Sequence, residues 1–282
     1  MSNRNYSPLL QLAIAFGAAM MVTATSFSQS LRYAVASRYA GMGAYSRNFV
    51  DPLSVLSNQA ALANIRSVSA GIHGEKRFLL EELGSYSLSL CLPLSSGGVG
   101  LSARYFGYPD FNETQIGVAY GKSLGKVDIG IQINLRALKL LRYGADMLVN
   151  FEAGAIFHVS EQLHAGFHLY NPTGSKFGKD LSEKLSSAYS AGFGYEASDK
   201  LLVSAQIIKE EDKPVHINVG LQYVFEEKVF ARVGLETEAT HLYFGFGFKW
   251  NLCRIDVTAS YHPQLGFTPG LLLVFEGKRK DE

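Results

Sequence analysis

The sequence predicts an all-β chain: a transmembrane antiparallel β-barrel of about fourteen strands, preceded by a hatch or plug segment. Three observations carry this. From Val68 onward, runs of roughly ten residues alternate apolar and polar and are then broken. No apolar run of helix-spanning length follows the N-terminus, whereas a tilted strand crosses a bilayer in about 9–11 residues. The N-terminus itself reads as a secretion signal. Arg4 precedes an apolar stretch from Leu9 to Val22, and small residues follow to Ser28. Residues 1–28 are therefore expected to be a signal peptide, 29–66 the plug and 67–282 the barrel.

Residues 29–66 show no sustained alternation. Small and turn-forming residues dominate, yet the segment is too apolar for a disordered tail. An irregular plug with a short helical turn near Leu53–Leu56 is expected. Strands are then expected at 68–74, 85–92, 99–106, 114–122, 127–139, 147–160, 163–170, 188–197, 201–209, 216–225, 229–237, 241–250, 253–262 and 266–276. Twelve would result if two weak edges are not strands. The stretch Val127–Ala137 shows the pattern best: Ile129, Ile131, Ile133 and Leu135 on one face, Asp128, Gln132, Asn134 and Arg136 on the other.

Alternate connections are tight, as at Ser95–Gly98 and Asn251-Leu252, and the intervening ones are often longer, as at 107–113 and 171–187. Outer-membrane barrels have short periplasmic turns and longer outer loops, so both chain ends are expected in the periplasm. Alternation also occurs in soluble sandwiches. What favours the barrel is a wholly apolar face such as Leu242, Phe244, Phe246, Phe248 and Trp250, opposite faces rich in charge, and aromatics gathered toward strand ends: Tyr105, Tyr120, Tyr170, Tyr223, Trp250 and Tyr261. The polar candidates expected to face the lumen are Arg104, Asp128, Arg136, Glu152, His158, His164, Arg232, Glu236, Arg254 and Asp256. Glycines share that face, among them Gly130, Gly154, Gly192 and Gly220. Missing side chains there leave room for a plug, and glycine kinks also serve barrel curvature.

A net charge of +1 gives no field that would attract nucleic acid. Cys91 and Cys253 have no paired spacing and read as free thiols. His158 and His164 flank a tight turn and face each other across a hairpin, but no third ligand stands at usable spacing. No metal site and no cofactor are expected. No nucleophile elbow, phosphate loop or zinc-protease motif is present, so the chain is not expected to be an enzyme.

The segments Arg38-Tyr39-Ala40-Gly41-Met42-Gly43, Asp51-Pro52-Leu53-Ser54-Val55 and Asn58-Gln59-Ala60-Ala61-Leu62 resemble the N-terminal hatch of FadL-like outer-membrane proteins. They are most similar to the PorV/PorQ branch found in Bacteroidetes. Gln59 stands where the usual hatch has proline, and Ala61 where it has glycine. The resemblance implies Arg38, Gly41, Gly43, Asp51, Pro52, Asn58, Gln59, Ala60 and Leu62 as hatch residues in a bacterial outer-membrane barrel. For the PorV type it implies association with type IX protein secretion and secreted-protein partners. For the FadL type it implies passage of hydrophobic small molecules through a lateral opening. A structural barrel that partners other envelope subunits is a third expectation. Outer-membrane lipid surrounds the barrel in each case.

Overall fold

A computed structural model describes residues 42–142, 144–177, 184–211, 213–237 and 241–278. The signal-peptide reading and residues 29–41 of the expected plug lie outside them. Fourteen strands form one closed antiparallel barrel: β1 Ser69–Lys76, β2 Gly84–Leu94, β3 Gly97–Tyr108, β4 Phe111–Ser123, β5 Val127–Leu140, β6 Gly144–His158, β7 Leu163–Tyr170, β8 Ala188–Ser198, β9 Leu201–Glu210, β10 His216–Phe225, β11 Val229–Glu236, β12 His241–Trp250, β13 Cys253–His262 and β14 Gly266–Glu276. Each strand pairs with its neighbours in sequence, and β1 pairs with β14 to close the ring.

The side-chain period of two sorts every strand into an outer and an inner face. On β5 the outward Ile129, Ile131, Ile133 and Leu135 are exposed, while the inward Asp128, Gln132, Asn134 and Arg136 are buried. The same holds around the ring, with Phe244, Phe246 and Phe248 outside and Arg254, Asp256 and Thr258 inside. A water-soluble barrel has the opposite arrangement. An apolar exterior with a polar interior satisfies lipid outside and hydrogen-bonds the charges inside, so this is a transmembrane barrel.

One end of the barrel carries only tight connections, such as the two-residue turn Asn251-Leu252 between β12 and β13. Asn251 there adopts φ 53°, a left-handed conformation that asparagine tolerates. β1 begins and β14 ends at this turn end. The other, loop end carries the 171–187 connection. It also carries residues 77–83, which fold into two short 3-10 turns, Arg77–Leu79 and Glu81–Leu83. Two expectations need correction. The loop expected at 107–113 is absent: Tyr108 pairs with Phe111 across a two-residue Pro109-Asp110 turn, because the proline presets the turn and strand pairing runs on to it. Tyr170 does not join an outer aromatic girdle. It shares the inward parity of His164 and His168, is 3% exposed, and accepts a bond from Arg136 Nη1 at 2.7 Å.

Candidate functional site

Residues 42–66 lie within the barrel and form a plug. Two 3-10 turns organise it, Ser54–Leu56 and Gln59–Asn64. Asp51 starts the first: its Oδ1 accepts the N–H groups of Leu53 and Ser54, each at 3.0 Å. Asn58 caps the second through the N–H of Ala60 at 3.1 Å. Asn58 and Asp51 therefore act locally before they act on the wall.

The wall receives the plug on a floor of glycines. Gly98, Gly121, Gly130 and Gly154 are lateral neighbours on β3, β4, β5 and β6. A Cβ on Gly130 would lie 2.3 Å from the Gln59 carbonyl carbon, and one on Gly121 would lie 2.7 Å from the Gln59 oxygen. On Gly154 it would meet Asn58 Oδ1, and on Gly98 the Leu62 oxygen at 2.5 Å. Further round, Gly166, Gly192 and Gly194 take Tyr45, and Gly220 takes Met42. No side chain fits between plug and wall at these points, which is the physical reason for glycine there. Gly43 serves the plug's own fold, since a Cβ there would lie 2.5 Å from the Phe49 oxygen.

Charged side chains hold the plug elsewhere. Asp51 Oδ2 accepts Arg254 Nη2 at 2.8 Å and lies 3.8 Å from Arg232 Nη2. Asp256 bridges the two arginines, at 2.6 Å from Arg232 and 3.1 Å from Arg254. Burial alone would raise the Asp51 carboxyl, but the guanidiniums of Arg254 and Arg232 and the Ser54 N–H hold it below the usual carboxylate range. Arg104 Nη2 donates to the Leu56 oxygen at 2.6 Å. Glu152 gathers donors from both sides: Gln59 at 2.8 Å from the plug, and Asn134 at 2.8 Å and His168 at 3.0 Å from the wall. Burial outweighs the opposing bonds to Ser190 and Gln206 and pushes the Tyr45 phenol up to about 12. Gln206 Nε2 lies 2.8 Å from its oxygen.

At the turn end a third group forms. Asp128 accepts Asn64 Nδ2 at 2.7 Å and contacts His158 Nε2 at 2.8 Å. His158 Nδ1 lies 2.9 Å from His164 Nδ1, and His164 Nε2 lies 3.2 Å from Glu196. Glu196 accepts the N–H groups of Arg47 and Asn48 and the Asn48 amide.

Most of the lumen-facing candidates thus meet at the plug. Arg136 does not: it pairs with Glu113 and Tyr170 on the wall. Glu236 faces His216 at 3.7 Å. Among hatch residues, Asp51, Asn58 and Gln59 make the side-chain contacts, and the buried Ala60 and Leu62 pack against the wall. Pro52 lies beside Gly71 and offers its carbonyl to the Cys91 thiol at 3.9 Å. Arg38 and Gly41 lie outside the described residues. Sequence reasoning missed Glu196, Tyr45 and Gln206 as plug contacts. Glu196 shares the strand parity of Gly192 and Gly194, which is the signal that could have found it.

Among the described residues, spaces adjoin the plug on two sides. A cavity of about 70 Å³ is left beside Arg104, Glu152, His168 and Gln206, and one of about 350 Å³ opens at the turn end beside Asn48, Arg66 and Lys249. At the loop end, an apolar cluster of Leu138, Leu148, Tyr170, Phe177, Leu185 and Ala188 is buried against Phe111 and Leu140. Beside it β6 outruns β7. Its pairing with β7 ends at Glu152–Tyr170, and Asn171 and Ser175 bond the Phe151 and Val149 carbonyls in place of a strand.

No protein-family profile matches the sequence. No curated protein matches it either. Solved structures do. The CymD monoaromatic hydrocarbon channel superposes with a TM-score of 0.63 at 10% identity, over 82% of this chain and 94% of that one. The Ralstonia pickettii toluene transporter TbuX gives 0.59 at 10% identity, over 80% and 92%. A Pseudomonas aeruginosa FadL homologue gives 0.55 at 12% identity, over 84% and 96%. At such identities the likeness is one of fold: a FadL-type barrel.

Proposed function

We propose that this chain is a non-enzymatic outer-membrane channel for small hydrophobic molecules, with residues 42–66 as its gate. The observation that carries this reading is the apolar cluster inside the mouth at the loop end, beside the place where β6 outruns β7. Its residues are packed on one another, so a solute would enter by displacing the 171–187 connection from them, and burial of its apolar surface is worth about 25 cal/mol per Å². Below it, the cavity that the described residues line beside the plug is about 70 Å³, far less than the roughly 300 Å³ or more of a small-molecule site. Axial passage therefore requires the plug to move. The edge of β6 beside the cluster offers a sideways route into lipid. The fold likeness to a hydrocarbon channel and a toluene transporter supports the same reading. Under it the turn end is periplasmic. Residues 1–28 are then a signal peptide, 29–66 the hatch and 67–282 the barrel. Type IX secretion and a place in the PorV/PorQ branch rest on the hatch motif alone, and the channel reading has the wider support.

The test is uptake of a radiolabelled monoaromatic or long-chain fatty acid by cells whose own transporters are deleted. Expression of this chain should restore uptake. An A60C/I156C pair, placed in a background with Cys91 and Cys253 replaced by serine, joins residues that pack together. Oxidising it should abolish axial uptake. Uptake equal to empty-vector cells for both solutes would sink the proposal.

A further inference from the structure

Arg136 and Glu113 pair on the wall, on the loop-end side of Asp128 and Glu152. Their side chains are 3% and 5% exposed, and Arg136 Nη2 donates to Glu113 Oε2. The pair abuts the loop-end apolar cluster. Glu113 stands opposite Leu138 and Arg136 opposite Leu148, both members of the cluster. Arg136 Nη1 donates to the hydroxyl of a third member, Tyr170, at 2.7 Å. Arg136 Nε is buried and has no hydrogen-bond partner among the described residues. A guanidinium at the edge of a buried apolar patch is an arrangement suited to a carboxylate with an apolar body. Here Glu113 stands where that carboxylate would go.

We propose that Glu113 is a specificity-determining residue: by occupying Arg136 it makes the site beside the apolar cluster one for uncharged apolar molecules and closes it to carboxylates. The proposal rests on the channel reading, in which a solute reaches the cluster by displacing Phe177 and Leu185 of the 171–187 connection. A solute carboxylate brought there leaves water and must share one guanidinium with a second carboxylate, so its desolvation is not repaid. An uncharged solute meets a pair whose charges already cancel and gives up little hydration. It can also set a small acceptor at Arg136 Nε or the face of a ring against the guanidinium. A solute cation is refused for the matching reason, because Glu113 is itself taken by Arg136. Each charge cancels the other, so removing either one should admit a solute of the same sign as the charge removed.

The test measures binding to the full chain folded in amphipol, by equilibrium dialysis at neutral pH. The radiolabelled probes share one ring and differ in charge: benzyl alcohol, benzoate and benzylammonium. Wild type should bind benzyl alcohol in preference to either ion. Glu113→Gln should tighten benzoate binding by about tenfold or more, and Arg136→Gln should do the same for benzylammonium. E113Q/R136Q should gain neither ion, and benzyl alcohol binding should change little throughout. A gain of binding does not arise from misfolding. If one single variant loses its heat-modifiable gel shift, the other decides, and if both do, the wild-type preference decides. Unchanged ion binding in the folded single variants, a gain that persists in the double variant, or wild type binding benzoate as tightly as benzyl alcohol would overturn the role of Glu113 and leave the channel reading standing. Binding of no probe by wild type or any folded variant would overturn both.

Discussion

The plug meets two unlike flanks of the barrel. Along β3 to β8 much of it lies directly on glycines, and Arg104, Asp128, Glu152 and Glu196 hold it between them. Along β11 to β13 the wall stands back, and Arg232, Arg254 and Asp256 bridge the space to Asp51. The first flank fixes position mainly by shape, through close contacts at glycines that leave no room for a side chain. The second fixes it by charge, in a buried group where losing one partner strands another. A gate held only by shape has no handle for release, and a gate held only by charge has no defined seat.

The largest effect should come from the charged flank. Asp51→Ala leaves two arginines facing one carboxylate in a dry setting and should cost docking about 3–5 kcal/mol. Limited proteolysis should then cut residues 42–66 while the barrel keeps its heat-modifiable mobility; an uncut plug would show that the glycine flank suffices. On the other flank, Gly130→Ala sets a Cβ against the Gln59 backbone, which has no flexible end to yield, and should cost about 1–3 kcal/mol. Gly117→Ala is its control, because the nearest atoms there are side-chain ends from the wall. Equal plug release by both variants would refute the shape argument.

pH separates the flanks further. The Asp51 carboxyl is lowered in the folded state, so its contribution is fully present above the unfolded value of about 4 and is lost as pH falls through the folded one. Release of residues 51–56 should begin only below about pH 4, and release already at pH 6 would place the controlling group elsewhere. The smallest effect belongs to Tyr45→Phe. The ring keeps its glycine seat and loses only the hydroxyl's bonds to Gln206 and Ser190, about 0.5–1.5 kcal/mol each. Exchange protection near residue 45 reads it, and a larger loss would mean the hydroxyl does more than these bonds.

The strands were legible because lipid enforces their period. Residues such as Ile129, Ile131 and Ile133 must all be apolar, so type and face follow from the sequence, and most ends fell within three residues of the expected ones. Asp51, Asn58 and Gln59 were legible as a motif, but their partners were not. Pairing Asp51 with Arg254 joins opposite ends of the chain and depends on where a coil without periodicity folds back. The Pro109-Asp110 turn was misjudged because loop length leaves no periodic trace. Tyr170 was misplaced because an aromatic at a strand end suits either face, and only parity decides.

The pairing of β1 with β14 carries a consequence for assembly. Every other strand pair is a hairpin or a near neighbour in sequence, so most of the wall can form by local zipping. The closing seam alone joins Ser69 to Glu276, and the entropy of bringing distant ends together, about 0.6 kcal/mol per doubling of the intervening length, falls on that step. Residues 42–66 precede β1 and are walled in once the seam forms. The order of events is therefore constrained: the plug is either enclosed as the ring shuts or threaded afterwards through an end. A chain truncated before Gly266 would lack the closing strand, leaving two bare edges and no lumen for the plug to occupy.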